Sequence, residues 1–185
     1  MLPLMIDMKN KQVVIVGGGK IALRRLRLLK EEGAHLTVVS PQVNDEIKNL
    51  AASGKIVWKK KEVCTEDIKQ AFLIIAATND PNINEWIAGQ VSGHQLINVV
   101  HKAEIGNVQV PKIVKKGKLI FSVSTSGASP LLAKEFSEKF ASLIDKDIEK
   151  KLEEYHQYRE QLKSSNLSEE ERKKALKQKL DLDKL

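Results

Sequence analysis

The feature that most constrains the fold is a glycine triplet at residues 17–19, placed between an apolar run and an amphipathic segment. The run Gln12–Val16 is short and rich in β-branched residues, which is typical of a buried strand. After the triplet, apolar residues recur at helical spacing as far as Gly33, a residue that suits a helix end. The sequence therefore predicts a strand, a tight glycine loop and a helix in immediate succession.

This arrangement is typical of sites that bind a diphosphate. In Gly17-x-Gly19-x-x-Ala22, the first glycine permits a tight turn and the second lets the backbone approach a pyrophosphate. The small Ala22 lets the helix pack closely on the strand. Unpaired N–H groups at the positive end of the helix then hold the diphosphate. The pattern favours a dinucleotide site over the alternative, a glycine turn used only for packing.

Further strands and helices alternate along the first part of the chain. Repeated β–α alternation indicates a parallel sheet with helices on both faces, so we predict an α/β, Rossmann-like domain over residues 1–111. Pro81 suits the first turn of a helix. The strands predicted after the first one cover residues 36–39, 56–58, 72–77 and 96–100.

The remainder of the chain changes character. Residues 112–144 contain a predicted strand at 119–125 and a helix that Ser129 caps and Pro130 begins. This small α+β unit cannot bury its own apolar face, so we expect it to be a dimerisation domain that forms a homodimer. Residues 145–185 are charged and helix-forming, and Ser168 with Glu171 forms a capping box there. We expect a helical C-terminal region.

Charge and composition narrow the class of protein. Residues 1–144 carry 20 Lys/Arg against 13 Asp/Glu, whereas residues 145–185 carry 11 of each, so the excess of +7 lies in the body. A basic body favours an anionic ligand, and a neutral tail argues against nucleic acid as a partner. Because no apolar run is long enough to span a bilayer and the start lacks a signal-peptide core, we expect no membrane association and a cytoplasmic location. The single cysteine and the scattered histidines predict no metal site.

Two strand ends bear on the ligand. Thr78, Asn79 and Asp80 follow the predicted fourth strand, where ligands gather in open α/β sheets, although an ordinary strand-to-helix turn would use the same residues. The second strand ends at Ser40 instead of the acidic residue that usually binds the ribose of NAD. The residues alone therefore leave NAD and NADP open. Arg24 and Arg25 could offset the charge of a 2′-phosphate, or they are plain surface.

Together these segments resemble the precorrin-2 dehydrogenase family, which is also the N-terminal module of sirohaem synthases. The most specific segment is Ser124-Thr-Ser-Gly-Ala-Ser-Pro-Leu-Leu-Ala133, because a glycine loop alone fits many Rossmann proteins. The likeness covers about residues 1–145. The other segments that carry it are 2–4, 14–22, 36–41, 76–80 with Asn84, and 98–100.

The resemblance implies a concrete activity. Members of this family oxidise precorrin-2 to sirohydrochlorin with NAD⁺ on the route to sirohaem, and their substrate carries carboxylates that suit a basic body. Members share a Rossmann domain, a central dimerisation domain and a helical domain, which matches the division predicted above. The cofactor contacts that the resemblance implies are Gly17, Gly19, Lys20, Ile21, Pro41, Gln42, Thr78, Asn79 and Asp80.

The chain departs from the family at its principal catalytic candidate. An aspartate usually follows the Asn-Val-Val strand, and His101 stands there instead. An imidazole can accept a proton at neutral pH, so we expect His101 to be the base, and Ser124 to be a second catalytic residue that contacts the substrate. The departure keeps two alternatives open. One is a bifunctional dehydrogenase and ferrochelatase, and the other is a non-catalytic tetrapyrrole-, metal- or dinucleotide-binding protein of the same fold.

Overall fold

In the computed structural model, residues 1–144 and 147–179 are described, and they divide into two compact units at residues 110 and 111. The C-terminal region predicted from residue 145 begins on residues 145 and 146, which lie outside the described residues. The elements of the first unit are β1 (Gln12–Val16), α1 (Lys20–Glu31), β2 (His35–Val39), α2 (Asp45–Ala52), β3 (Val57–Lys59), α3 (Thr65–Ile68), β4 (Leu73–Ala76), α4 (Pro81–Gly89), β5 (Leu96–Val99) and a 3₁₀ turn (Ala103–Ile105). Those of the second are β6 (Lys112–Lys116), β7 (Leu119–Val123), α5 (Pro130–Leu143), α6 (Ile148–Lys163) and α7 (Glu169–Lys179).

The five strands of the first unit form one parallel sheet in the order β3-β2-β1-β4-β5. The central strands β1 and β4 are apolar along almost their whole length because both faces of the sheet are covered. Helices α1 and α2 cover one face, and Leu26 and Ile47 are fully buried there. Helices α3 and α4 cover the other face through Ile68 and Ile87. The predicted Rossmann-like fold is confirmed.

Helix ends in the first unit follow the sequence rules. Gly33 comes directly after the last capping residue of α1 with φ of +76°, a conformation that glycine adopts without strain. Pro81 takes the first position of α4, as the sequence predicts, and Asp80 caps the helix. The predicted third strand is displaced by one residue, since Lys59 is its last residue and Ile56 turns into the core before it.

Within its described residues, the second unit combines a hairpin with three helices. Strands β6 and β7 pair antiparallel, and the Phe121 ring of β7 stacks on Phe140 of α5 with centroids 3.7 Å apart. Strand β6 was not predicted from the sequence, because it has only two apolar residues, Ile113 and Val114, among three lysines. Ser129 caps α5 by accepting a hydrogen bond from the Leu132 N–H at 3.2 Å. At α7, the predicted capping box of Ser168 and Glu171 is present.

Candidate functional site

A cleft of about 850 Å³ opens at the carboxyl ends of β1 to β4 in the first unit. Its walls are the loops that follow these strands, at residues 17–19, 40–43, 61–63 and 77–80, together with one side of α4. The chain reverses its direction of travel across the sheet between β1 and β4, and ligands of open α/β sheets bind at such a switch point.

The three glycines of the first loop have different roles. Gly17 has φ of +112°, and a Cβ atom there would collide with the carbonyl oxygen of Ala77. A Cβ atom at Gly18 would collide with the carbonyl oxygen of Gln42. A Cβ atom at Gly19 would meet nothing within 4 Å and would project into open space. Gly17 and Gly18 therefore hold neighbouring loops together, whereas Gly19 leaves the approach of a ligand unobstructed.

The N-terminus of α1 offers backbone groups to an anion. Its N-cap is Gly19, which has no side chain, and its first turn holds no acidic residue. The first bond of the helix joins the N–H of Leu23 to the carbonyl of Gly19 at 3.0 Å, so the N–H groups of Lys20 and Ile21 have no helical partner. Ala22 is fully buried, which brings the helix close to the sheet. These residues fit the diphosphate of a dinucleotide.

The wall after β4 is organised by Asn84, which is 1% exposed. Its Oδ1 accepts hydrogen bonds from the Thr78 N–H at 3.0 Å and from the Thr78 hydroxyl at 2.8 Å, and its Nδ2 donates to the Thr78 carbonyl at 3.1 Å. The Asp80 carboxylate accepts from the Asn82 N–H at 2.8 Å and so caps α4. Asn79 lines the cleft, and its side chain has no hydrogen-bond partner among the described residues. Asn79 is thus the polar side chain of this loop that remains available to a ligand.

The opposite wall joins the ends of β2 and β3. The Ser40 hydroxyl donates to the Gln42 carbonyl at 2.7 Å, and the Trp58 indole N–H donates to the Ser40 carbonyl at 3.0 Å. Pro41 and Gln42 follow directly and line the cleft.

A buried carboxylate, Asp67, fixes the loop after β3. It forms ion pairs with Lys59 at 2.9 Å and Lys61 at 2.8 Å, and it accepts from the Cys64 N–H at 3.1 Å. Burial by itself raises the pKa of Asp67, but the hydrogen bonds from Lys61, Lys59 and Cys64 outweigh it and hold the pKa well below its usual range. The loop is therefore tied down by a charged cluster at neutral pH.

His101 lies just after β5, with 28% of its side chain exposed. Its Nδ1 is 3.4 Å from the Asn84 amide nitrogen, and its Nε2 is 3.9 Å from a Glu85 carboxylate oxygen that Lys102 also contacts at 3.0 Å. The bonds from Thr78 to the Asn84 oxygen orient the amide nitrogen toward the ring. Nδ1 is accordingly the acceptor, and the neutral ring carries its proton on Nε2.

Most of the cofactor residues predicted from the sequence come together in this structure. Lys20 and Ile21 lie at the start of α1 and do not line the cleft. Arg24, Arg25 and His101 do not line the cleft either. Burial, aided by Arg24, lowers the pKa of Arg25 to about 10. Ser124 belongs to the second unit, where its hydroxyl accepts from the Ser126 N–H at 3.2 Å. The predicted residues that line the cleft are Gly17, Gly19, Pro41, Gln42, Thr78, Asn79 and Asp80.

Several residues of the site were not predicted from the sequence, and four of them have evident roles or positions in it. Gly18 was passed over because the glycine pattern leaves its middle position free. Asn84 was named only as part of the family resemblance. An asparagine on the inner face of an amphipathic helix nevertheless indicates a buried side chain that makes hydrogen bonds. Trp86 is 41% exposed and lines the cleft, and its sequence context does not distinguish it from a packing residue. Glu62 also lines the cleft, and nothing in the local sequence sets it apart from the neighbouring charges.

The described residues contain no long apolar helix that could cross a membrane, and within them no three His, Cys, Asp or Glu side chains are grouped as metal ligands.

Comparisons with known proteins agree with this geometry. Residues 4–112 match the model of a family described as "Putative NAD(P)-binding". The chain is 50% identical over 159 residues to a precorrin-2 dehydrogenase of Bacillus subtilis, covering 86% of this chain and 98% of that protein. It is 40% identical over 145 residues to a precorrin-2 dehydrogenase of Priestia megaterium, covering 78% and 72% of the two chains. A solved structure titled SirC, precorrin-2 dehydrogenase, superposes with a TM-score of 0.83 at 35% identity, over 98% of this chain and 90% of that one.

Proposed function

This chain belongs to the precorrin-2 dehydrogenase family, and from that premise we propose that it oxidises precorrin-2 to sirohydrochlorin with NAD⁺ as the hydride acceptor. It is an oxidoreductase enzyme with an NAD(P)-binding Rossmann domain. The observation that carries the proposal is the open space above Gly19, which lines the cleft and begins a helix whose first N–H groups have no side-chain cap.

The bound dinucleotide would supply a nicotinamide that accepts hydride, and the protein would supply placement. Gly17, Gly19 and the start of α1 would hold the diphosphate. Pro41 and Gln42 would contact the adenosine half of the dinucleotide, and Asn79 with Asp80 would contact the nicotinamide half. Thr78 would act through its hydrogen bonds to Asn84, which fix the shape of this wall. We propose NAD in preference to NADP because neither Arg24 nor Arg25 lines the cleft.

We propose that His101 accepts the proton that the substrate loses together with the hydride. In the neutral ring the lone pair is on Nδ1, directed at the Asn84 amide. The Asn84 Nδ2 to His101 Nδ1 separation of 3.4 Å is long for a hydrogen bond. A substrate group would therefore lose little free energy by taking the place of the Asn84 amide as the partner of Nδ1. Ser124, which is exposed after β7, is proposed to contact substrate carboxylates.

We also propose that the working enzyme is a cytoplasmic homodimer assembled through residues 112–144. Helix α5 exposes four apolar side chains, and a second copy of the same face would remove them from water. The two-stranded sheet β6–β7 with one helix is too small to bury these groups by itself. The side chains concerned are Leu131 (66% exposed), Leu132 (42%), Phe136 (52%) and Leu143 (70%).

The test is turnover of enzymatically prepared precorrin-2 under anaerobic conditions. Formation of NADH and of sirohydrochlorin is followed together, with NADP⁺ in place of NAD⁺ as a comparison. We expect the two products to appear in equal amounts with NAD⁺ and much more slowly with NADP⁺. If the purified chain binds NAD⁺ yet forms neither product, the proposed reaction is refuted.

A further inference from the structure

The ribose next to the adenine has a predictable place in this cleft. In Rossmann sites an acidic side chain at the end of the second strand accepts hydrogen bonds from the ribose hydroxyls and repels a 2′-phosphate. Here that position holds Ser40, which is 9% exposed and whose hydroxyl donates to the Gln42 carbonyl at 2.7 Å. Residues 40–43 form the neighbouring wall and contain no carboxylate. Discrimination between the two cofactors must therefore come from another element.

The loop after β3 is the element that borders this place. It is joined to the end of β2 by the bond from the Ser40 N–H to the Lys59 carbonyl at 3.2 Å and by the Trp58 indole on the Ser40 carbonyl. Beyond this junction, residues 61–63 line the same half of the cleft as residues 40–43. A carboxylate on this loop therefore borders the place expected for a ribose at the end of β2.

Charge pairing singles out Glu62 on that loop. Lys59 and Lys61 are both paired with the buried Asp67, and Lys61 also contacts the Cys64 sulfur at 3.2 Å. Two carboxylates line the described cleft, and Asp80 on the far wall already caps α4. Glu62 is exposed and has no hydrogen bond or ion pair within residues 1–144 and 147–179. It is the carboxylate of the cleft that is free to accept from a ligand.

We infer that Glu62 is the residue that determines cofactor specificity: its carboxylate accepts hydrogen bonds from the adenosine ribose hydroxyls of NAD and repels the 2′-phosphate of NADP. The inference rests on the proposed dinucleotide site and adds the residue that discriminates within it. The loop after β3 thus supplies the acidic side chain that is missing at the end of β2. Lys59 and Lys61, on either side of this loop, are both paired with Asp67, so neither is a free cation beside Glu62.

The experiment is calorimetric titration of the full chain with NAD⁺, NADP⁺ and an NAD⁺ analogue that lacks the 2′-hydroxyl of the adenosine ribose. The wild type should prefer NAD⁺ over NADP⁺ by at least tenfold and should bind the deoxy analogue roughly tenfold more weakly than NAD⁺. Glu62→Gln removes the charge and keeps the size. It should reduce the preference for NAD⁺ by roughly tenfold and shrink the penalty for the missing hydroxyl. Glu66→Gln, on the adjacent helix and outside the cleft lining, is the matched control and should leave both ratios unchanged.

The outcomes distinguish a wrong role for Glu62 from a wrong dinucleotide site. If the wild type prefers NAD⁺ and Glu62→Gln keeps both ratios, Glu62 is not the discriminating residue and the proposed dehydrogenase stands. If the wild type binds NADP⁺ at least as tightly as NAD⁺, the role of Glu62 is refuted together with the choice of NAD. If neither dinucleotide binds the wild type, the cofactor site itself is wrong, and the inference is overturned with it.

Discussion

Replacing Gly19 with aspartate should abolish NAD binding and leave the fold intact. The backbone at Gly19 is extended, with φ of −84° and ψ of −168°, and a Cβ atom there meets nothing within 4 Å. Aspartate is also a favoured N-cap, so it can accept from the free N–H groups of α1. We therefore expect a change in stability of only a few tenths of a kcal/mol, which moves the melting temperature by roughly 1–2 °C.

The loss of affinity has two sources. The aspartate takes the N–H groups that the diphosphate needs, and hydrogen bonds to a charged group contribute about 1.5–3 kcal/mol. It also adds a negative charge beside the diphosphate, and at an assumed separation of about 5 Å and an effective dielectric constant of about 20 each charge pair costs roughly 3 kcal/mol. Screening and relaxation reduce this sum, and a loss of about 4 kcal/mol corresponds to roughly 10³-fold weaker binding.

Gly18→Ala is the matched control, since the neighbouring glycine has the opposite surroundings. Its Cβ atom would collide with backbone atoms of Gln42 and Val43, and such overpacking costs about 1–3 kcal/mol. At 2–4 °C per kcal/mol, its melting temperature should fall by roughly 2–12 °C. Calorimetric titration and thermal unfolding of both variants provide the assay. Unchanged NAD affinity in Gly19→Asp at unchanged melting temperature would refute the assignment of the diphosphate to this helix start.

Three further predictions concern other parts of the molecule. His101→Ala should slow turnover by roughly 10²–10⁴-fold with NAD affinity unchanged, whereas near wild-type turnover would end its role as the base. Phe136→Asp should convert the expected dimer into a species of 20.7 kDa by light scattering, because each copy would lose about 2 kcal/mol of apolar burial; a wild type that already has this mass would exclude the dimer. Asp67→Asn should destabilise the protein to urea by about 1–3 kcal/mol at pH 7. Because the folded pKa of Asp67 is lowered, its stabilisation is full above about pH 4 and is lost at lower pH, so the difference from wild type should shrink there; a constant difference would contradict the ion-pair account.

The sequence predicted those features that depend on local periodicity and capping. The run Gln12–Val16, the glycine triplet and the Asp80–Pro81 helix start are each specified by a few adjacent residues, and all appear where predicted. Strand β6 was missed because its two apolar residues, Ile113 and Val114, are adjacent and flanked by lysines, so no two-residue alternation marks a strand. Local pattern is a weak guide where one face of an element meets water.

Contacts distant in sequence account for what was missed at the site. No local pattern shows that Gly18 lies against Gln42, or that Asn84 lies near His101, seventeen positions further along. The availability of Glu62 depends on two lysines having a buried partner in Asp67, a fact that only the folded loop provides. The candidate residues on strand ends were found because a parallel sheet brings those ends to one edge.

Asn84 contacts both Thr78 in the cleft wall and His101. A dinucleotide that displaces Thr78 must alter the amide to which the imidazole is bonded, and a substrate that displaces the imidazole must alter the bonds of Thr78. If such displacements couple the two ligands, each ligand changes the affinity of the other by the same factor. One side chain that is 1% exposed thus contacts both the wall of the cofactor cleft and the proposed base.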